Sequence, residues 1–552
     1  MGAKRVHLET FGCQMNELDS ELVAGQLAAL GYQFVRDPAD ADVVLYNTCS
    51  VRDLAEQKVR SRLGEVAIRK RTEPGLVVGV LGCMAERDGS AMLGRFPVVD
   101  VLCGPAELDK LPALLDNAVR TRESMLADAG ALEPEESRAM SQRSARQIAL
   151  QGSASRRSGT LAAAEDRLEF LDLSRAVSPT DHNGSAYVRI TRGCNKFCTY
   201  CVVPHTRGAE IHRPPDHIVD ECKRLADAGV IEITLLGQTV NHYRFEHDAA
   251  VSIGGVVQPQ KGRSHQGGHR RDPFTGERVT TFADLLKRIH DEVPAIQRLR
   301  FVTSYPRDFG DDVLEVMRDS PRICRYLHAP AQTGSNSVLK RMNRGYTVEE
   351  YLDFIDRARD FLDEPEIGRP LMLAGDMIVG FPGETEEDFQ SSVALLQRAR
   401  YKNCFIFKYS PRPGTVAFDR IPDDIPDDVK RRRNNELPAV QHAISDAIAQ
   451  TQVGSVQNVF IEGVSARERR KQSLPKESVS LTVSGRSVGQ SHVLRRATDD
   501  GAPVQLAGRT DGDLIVLFDA PMGRAPDDLI GRILPVRIER ANTITLFGAL
   551  AT

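Results

Sequence analysis

The sequence predicts a multidomain α/β protein: an N-terminal parallel α/β sheet domain, a partial (β/α)6 barrel and a small C-terminal β-barrel. Three observations lead there. At 552 residues the chain is too long for one hydrophobic core. Two stretches alternate short apolar runs with helical patterns, as parallel strands joined by helices do. The last ~100 residues change to short period-two runs between Gly-rich turns, which reads as a small barrel.

Residues 4–121 form the first unit. Val6-His7-Leu8 reads as a strand, and Glu17–Leu30 as a helix stopped by Gly31. Asp42–Tyr46, a helical stretch through Arg71 and Leu76–Leu81 continue the alternation. Residues 122–180 are rich in Ala, Ser, Arg and Glu with Phe170 their only aromatic, and read as a linker, disordered or partly helical. Residues 181–448 carry six strand candidates: Tyr187–Ile190, Ile231–Leu236, Leu299–Val302, Arg325–Ala329, Asp376–Val379 and Asn403–Tyr409. A Gly/His/Gln/Arg-rich insert at about 246–280 reads as a surface loop. In residues 449–550, reached through the helical run Asn435–Thr451, the barrel strands are Val456–Ile461, Ser480–Val483, Leu514–Phe518, Ile533–Ile538 and Thr543–Phe547.

Composition narrows the class. Hydrophobic content of 41% and charged content of 27% are ordinary for a globular protein. No run is long and apolar enough to span a bilayer, and the start MGAKRVHLETFG has no signal core, so a cytoplasmic protein without membrane contact is expected. A monomer is expected, although the sequence leaves oligomeric state open beyond showing no heptad run for a coiled coil. A net charge of −4 gives no general reason to expect nucleic-acid binding. Two local basic clusters, Lys430–Arg433 and Arg467/Arg469/Arg470/Lys471, read by themselves as solvated surface. In a reducing compartment, ten cysteines point to metals or redox chemistry before disulfides.

The strongest chemical signal is Cys194-Asn-Lys-Phe-Cys198-Thr-Tyr-Cys201. It follows a predicted strand and Arg192-Gly193, which places three thiols at the C-terminal edge of a barrel, where such folds build active sites. Three thiolates can hold three irons of a 4Fe-4S cubane and leave the fourth open to a ligand. The competing zinc site prefers four ligands in two pairs, and no fourth is evident. Cys13, Cys49 and Cys83 each follow a predicted strand immediately. Loops after adjacent parallel strands converge on one edge, so these three could assemble a second cluster or could be inert core thiols. Position alone leaves both readings open.

Other residues lie near the chemistry. Gly380-Phe-Pro382-Gly383-Glu is a tight strand-to-helix turn whose glycines permit close backbone approach to a ligand, although such turns are common. Gln238, Asn241 and Ser304 end predicted barrel strands and are candidate cofactor or substrate contacts, with loop capping the equal alternative. No Ser/His/Asp triad or carboxylate pair stands out, which suits chemistry carried by a cofactor.

The cysteine triplet resembles the hallmark of the radical S-adenosylmethionine (radical SAM) superfamily. There the amino and carboxylate groups of the cofactor chelate the open iron, and one electron breaks its sulfonium bond to give a 5′-deoxyadenosyl radical. Thr10-Phe-Gly-Cys13-Gln-Met-Asn16, Asn47-Thr-Cys49 and Gly82-Cys83-Met-Ala85 closely resemble the three cysteine motifs of the methylthiotransferase family. The resemblance covers nearly the whole chain apart from the linker and the insert. It implies an auxiliary-cluster domain, a radical SAM barrel and an OB-like, RNA-binding TRAM barrel. It also implies two 4Fe-4S clusters, on Cys13/Cys49/Cys83 and on Cys194/Cys198/Cys201, with S-adenosyl-L-methionine bound partly by Gly380, Pro382 and Gly383. Cys103, Cys222, Cys324 and Cys404 match no family ligand. Gln332-Thr333-Gly334-Ser335 resembles a family loop that usually reads Gln-Ser-Gly-Ser.

Cys201-Val-Val-Pro-His205-Thr-Arg207-Gly208, with His205 where Tyr is usual, and Arg412-Pro-Gly-Thr415 resemble the branch acting on N6-isopentenyladenosine in tRNA. The implied reaction is methylthiolation of N6-(dimethylallyl)adenosine at carbon 2, at position 37 beside the anticodon. The implied partners are a tRNA carrying N6-isopentenyladenosine, a reducing electron donor and a sulfur/cluster delivery system. The rivals are sister enzymes acting on threonylcarbamoyladenosine in tRNA or on a ribosomal-protein aspartate, and a non-catalytic iron–sulfur RNA-binding protein. The intact Gly-Phe-Pro-Gly-Glu turn speaks against the last.

Overall fold

The computed structural model describes residues 4–51, 53–129, 144–151, 166–175, 183–262, 278–473, 482–483, 486–487 and 503–551. Strands β1 (Arg5–Phe11), β2 (Gln33–Phe34), β3 (Val43–Thr48), β4 (Val77–Gly82), β5 (Val101–Cys103) and β6 (Gln147–Ala149) make one sheet, ordered β2-β1-β3-β4-β5-β6 and parallel throughout. β3 and β4 are apolar at almost every position and buried end to end, as central strands covered on both faces must be.

The segment 122–180 does more than link. Gln147–Ala149 adds the sixth strand, held by Ala145 N–H donating to Asp100 Oδ1 at 3.0 Å and Gln151 N–H donating to Glu86 Oε2 at 3.0 Å. With two apolar residues among Ser, Arg and Gln, an edge strand this short leaves no periodic trace.

Six parallel strands, β7 (Ser185–Arg189), β8 (Glu232–Leu236), β9 (Arg298–Phe301), β10 (Tyr326–His328), β11 (Met372–Val379) and β12 (Asn403–Lys408), form the partial barrel. They lie at the six expected places, as two three-stranded sheets joined where Leu299 bridges Ile323. Alternate residues, among them Val188, Ile233, Leu299, Leu327 and Met377, pack outward under the helices. The intervening ones, including Tyr187, Thr234, Arg300, His328 and Asp376, therefore face the lumen.

The C-terminal unit closes the barrel's lower end. Its five strands, β13 (Val456–Val464), β14 (Gln505–Arg509), β15 (Ile515–Asp519), β16 (Ile533–Asn542) and β17 (Thr545–Leu550), form a closed barrel. The loop after β14 meets the strand entries: Arg300 donates to Thr510 O at 2.5 Å, Arg325 N–H to Asp511 Oδ2 at 3.1 Å and Lys402 to Asp513 Oδ2 at 2.6 Å. The opposite mouth, at the strands' C-terminal ends, is thereby left for chemistry. The second barrel strand is Gln505–Arg509 and not Ser480–Val483. Among the described residues Thr482–Val483 pairs with Arg486–Ser487 alone, and Ser480 lies outside the described residues. Gly508 hid the true strand from periodicity, yet it is required, since a Cβ there would sit 2.2 Å from Phe460 O.

The insert at about 246–280 is also more tied down than a surface loop. Its ends pair as Arg244–Glu246 with Val279–Thr281, Gln260–Lys261 pairs with Ile211–His212, and residues 263–277 lie outside the described set.

Helices α1 (Gln14–Ala29) and α3 (Arg167–Leu173) dock on the barrel through buried charges; α2 is Cys83–Asp88. Arg213 pairs with Glu169 at 2.9 Å and Glu221 at 2.7 Å, Arg189 with Asp172 at 2.7 Å and Asp19 at 3.3 Å, and Arg175 with Glu21 at 2.5 Å and Glu221 at 3.1 Å. Burial pushes the Glu169 carboxyl up, but Arg213 and His217 outweigh it and hold it at about 2 against an ordinary 4.5. A depressed carboxyl contributes stability that is complete above its unfolded value and lost as pH falls through its folded one. We therefore expect part of the acid destabilisation between about pH 4.5 and 2 to disappear in Glu169→Gln, read as unfolding midpoint against pH. A variant slope equal to that of the native protein would show that the carboxylate contributes nothing.

Candidate active site between two cysteine sets

The first set is built by strand register. Phe11 pairs with Thr48, and Thr48 with Gly82, so Cys13, Cys49 and Cys83 leave three adjacent strand ends together. Two glycines make the approach possible. A Cβ on Gly12 would lie 3.0 Å from Cys49 Cβ, and one on Gly82, at φ +87°, would lie 2.4 Å from Asn47 Oδ1. Beneath them Asn16 donates to Asn47 Oδ1 at 3.1 Å, while Asn47 donates to Asn16 O and Ser20 Oγ, both at 2.9 Å. Val51 N–H donates to Cys49 Sγ at 3.2 Å, and Cys13 caps α1 with its thiol 3.4 Å from Asn16 Oδ1. A hydrogen bond between Cys49 and Cys13 brings Cys13 down to about 6 and, with burial, drives Cys49 up. Burial raises Cys83 against the opposing pull of Arg207.

The second set sits on a turn only glycine can make. Gly193 has φ +71°, and a Cβ there would lie 2.0 Å from Ala209 O. Cys194 N–H donates to Gly208 O at 3.2 Å, Cys201 N–H to Cys198 O at 2.9 Å, and Thr199 N–H to Met342 O at 3.0 Å. Arg344 Nη1 lies 3.5 Å from Cys198 Sγ, with its guanidinium over the Tyr305 and Tyr346 rings at 4.7 and 5.1 Å. Burial, then the neighbouring Cys198, push Cys201 up to about 12, and Cys194 is raised likewise by burial and Cys201.

The two sets face one another. α2 packs against α4 (Val203–Thr206), and Cys83 contributes to raising Cys201. Arg207 follows α4 and donates to Asp19 Oδ2 of α1 at 2.8 Å, and its charge acts on both Cys13 and Cys83. Among the described residues no group of three or more His, Cys, Asp or Glu side chains is placed to hold a single metal ion. Thiols that oppose one another's ionisation in a buried mouth fit a soft, multiply charged iron–sulfur core, which lets all three ionise together.

The other expected contacts divide. Gln238 Oε1 and Ser304 Oγ are buried and find no partner among the described residues, as groups facing an absent ligand would. Asn241 is spent on the fold: it donates to Tyr305 O at 2.9 Å and accepts from Tyr305 N–H at 2.8 Å. The turn at Gly380, Pro382 and Gly383 is internally satisfied. Gly380 N–H donates to Glu384 Oε2 at 2.6 Å, Gly383 N–H to Asp424 Oδ1 at 2.7 Å, Pro382 has no N–H, and Lys430 Cγ would lie 2.4 Å from a Cβ on Gly380. These glycines answer to packing and positive φ, and their N–H groups do not point to a ligand. The basic cluster at Lys430–Arg433 is likewise partly consumed, Lys430 by Asp423 and Arg433 by Glu384. Arg467, Arg469, Arg470 and Lys471 lie on the surface of Ala466–Ser473, where Lys471 pairs with Glu468 at 2.5 Å. Sequence reasoning did not single out Arg344 or Asp19, for which no local pattern exists, nor did it foresee the left-handed backbone of Thr303 (φ +70°) and Gln332 (φ +75°).

Comparison with known proteins agrees with this architecture. Residues 5–104 match the model of Uncharacterized protein family UPF0004, and residues 188–396 that of the Radical SAM superfamily. The chain is 39% identical over 550 residues, all of it and 96% of the relative, to a tRNA-2-methylthio-N(6)-dimethylallyladenosine synthase of Rhodopirellula baltica. It is 36% identical over 548 residues, 99% of it and 97% of the relative, to the protein of the same name in Burkholderia lata. A solved structure of a radical S-adenosylmethionine methyltransferase, TsrM, from Kitasatospora setae aligns at TM-score 0.44 and 16% identity over 75% of this chain and 77% of that one, too loosely to assign function. With full-length likeness to such relatives and a radical SAM domain at its centre, the chain belongs to the family of tRNA-2-methylthio-N(6)-dimethylallyladenosine synthases.

Proposed function

We propose that the protein replaces the hydrogen on carbon 2 of N6-(dimethylallyl)adenosine, at position 37 of tRNA, with a methylthio group. The observation that carries this reading is the meeting of two cysteine sets at one mouth, where α2, which starts at Cys83, packs against α4 just after Cys201 and Arg207 reaches across to Asp19. When bound, two 4Fe-4S clusters and S-adenosyl-L-methionine supply the one-electron chemistry and the sulfur.

The residues of the chain supply position and charge. Cys13, Cys49 and Cys83 hold the sulfur-bearing cluster, and Cys194, Cys198 and Cys201 the one that binds S-adenosyl-L-methionine. Arg344 beside Cys198, and Arg207 beside Cys13 and Cys83, offset thiolate charge that burial would otherwise disfavour. Gln238 and Ser304, with buried unpaired oxygens, contact the cofactor. The exposed cations of Ala466–Ser473 meet tRNA phosphates.

In the net reaction the C2 hydrogen leaves in 5′-deoxyadenosine, a C–S bond replaces the C–H bond, and a second S-adenosyl-L-methionine gives its methyl group to the sulfur. One electron is taken up in breaking the sulfonium bond and one is released when the C–S bond forms, so with sulfur supplied at the sulfide level a reducing donor primes the reaction, and a sulfur/cluster delivery system replaces the sulfur consumed. Among the described residues no helix is long and apolar enough to cross a membrane.

The test is direct. Anaerobically reconstituted protein, a reductant and S-adenosyl-L-methionine should convert tRNA bearing N6-dimethylallyladenosine to its 2-methylthio form, read by mass spectrometry of the nucleosides. Conversion of threonylcarbamoyladenosine or of a ribosomal-protein aspartate instead would overturn the substrate assignment.

A further inference from the structure

The mouth has an outer rim that the cluster chemistry does not use. Among the described residues no ladder joins β7 to β12, so the partial barrel is open along one seam, between its first strand and its last. The cluster loop leaves the end of β7, and residues 409–420 leave the end of β12. This second segment reaches both cysteine sets. Arg412 donates to Val51 O, just beyond Cys49, at 3.2 Å, and Ala417 N–H donates to Thr199 O, between Cys198 and Cys201, at 2.8 Å. Two aromatic rings stand on the rim beside that last bond. Phe197 is 52% exposed and Phe418 49%, while Cys198 and Ala417 next to them are buried. Phe197 holds a left-handed backbone, φ +50°, which residues other than glycine seldom adopt, and Asn343 fixes it by donating to Phe197 O at 3.1 Å. Its neighbour Lys196 turns inward to Asp308 at 2.5 Å, whereas the ring of Phe197 is left outside. Lys340, whose carbonyl accepts from Asn343 N–H at 3.1 Å, and Arg420 add exposed cations, of which the exposed Asp419 offsets one. Apolar side chains scattered singly on a surface are ordinary, but two rings tied to one backbone hydrogen bond at a reactive mouth are a contact surface.

We propose that Phe197 and Phe418 are stacking platforms for the unpaired bases on either side of position 37, holding the anticodon loop across the seam while the prenylated base enters the mouth. This rests on the substrate reading above. RNA loops are recognised with their bases splayed apart and laid on aromatic rings, and such stacking tolerates any base because each has a flat face. The cations beside the rings meet the phosphates between those bases. An acidic electron-transfer protein would also be drawn to Lys340 and Arg420, but it would gain its affinity from charge and would not need an exposed ring on a strained backbone. The platforms thus explain why the rim is aromatic as well as basic.

The test compares the cluster-loaded enzyme with Phe197→Ala, Phe418→Ala and Phe418→Tyr at matched iron content and thermal midpoint. Two anticodon stem-loops bearing N6-dimethylallyladenosine are titrated by fluorescence anisotropy, one complete and one abasic at both positions flanking the modified base. On the complete loop each alanine variant should bind about tenfold more weakly, and Phe418→Tyr, which keeps a ring, should bind as the native protein does. On the abasic loop the native protein should already bind weakly, and the alanine variants should lose little more. Full affinity for the complete loop in either alanine variant overturns the proposal. So does an equal further loss on the abasic loop, which would place the rings against something other than those bases. Unchanged loop binding with slower reduction by an acidic one-electron carrier protein would overturn it too, and would make the rim the docking face of the donor. Phe418 lies outside the cluster loop, so its variants decide the question should Phe197→Ala load iron poorly. If the native protein converts prenylated tRNA while loop binding ignores the substitutions, this inference alone fails; if it converts no prenylated tRNA, the substrate reading fails and takes the platforms with it.

Discussion

Replacing Cys194, Cys198 and Cys201 together by alanine is expected to lower bound iron from about eight atoms per chain to about four, and to abolish formation of 5′-deoxyadenosine. The reciprocal variant, alanine at Cys13, Cys49 and Cys83, should also keep about four irons and should still cleave S-adenosyl-L-methionine, but transfer no methylthio group. The two losses separate because the sets stand on different scaffolds, one on three strand ends of a parallel sheet and the other on one loop of the partial barrel. Neither variant should unfold the protein. Alanine leaves the flanking turns, the Asn16–Asn47 amide pair and Arg344 in place and adds no buried charge. Iron and labile sulfide analysis with circular dichroism checks this. Loss of all iron from the first variant alone would leave Cys13, Cys49 and Cys83 as ordinary thiols, and the enzyme would have no carrier for its sulfur.

How far the sequence could be read depended on whether a feature was local. Five of the six barrel strands, and β1, β3 and β4, announce themselves because apolar residues recur along them far enough to show a period, while the three-residue β10 is legible only within the wider run Arg325–Ala329. β2, β5 and β6 have two or three residues each and exist because a neighbouring strand offers hydrogen bonds, which no local pattern encodes. The same distinction holds at the site. The cysteines stand in recognisable motifs, but Arg207 meets Asp19 across 188 positions and Arg344 meets Cys198 across 146, so their roles appear only once the fold closes. Gly380 carries a second requirement that the sequence does not show: its missing Cβ makes room for Lys430.

The buried charge network should give the largest stability effect of any single substitution away from the cysteines. Arg213 is 1% exposed and serves Glu169, Glu221 and the Arg189 carbonyl at once, with Asp172 at 3.5 Å. Arg213→Ala leaves three buried carboxylates short of a cation, which is expected to cost about 3–5 kcal/mol. Arg62→Ala, which removes an exposed arginine paired with Glu9 and Glu65, should cost less than about 1 kcal/mol. Urea midpoints of the metal-free protein measure both, and comparable losses would show that burial adds nothing to the network. The consequence for function follows from what the network joins. Asp19 lies on α1, whose N-cap is Cys13, and is shared by Arg189 of β7 and Arg207 beside the second loop; Asp172 and Glu169 lie on α3. Apolar packing would tolerate sliding of one unit on another, but a buried ion pair displaced by a few ångströms leaves charges unmatched. The network thus sets the separation between the two cysteine sets, and Arg213→Ala should release 5′-deoxyadenosine in excess of methylthiolated product where the native protein keeps the two in step.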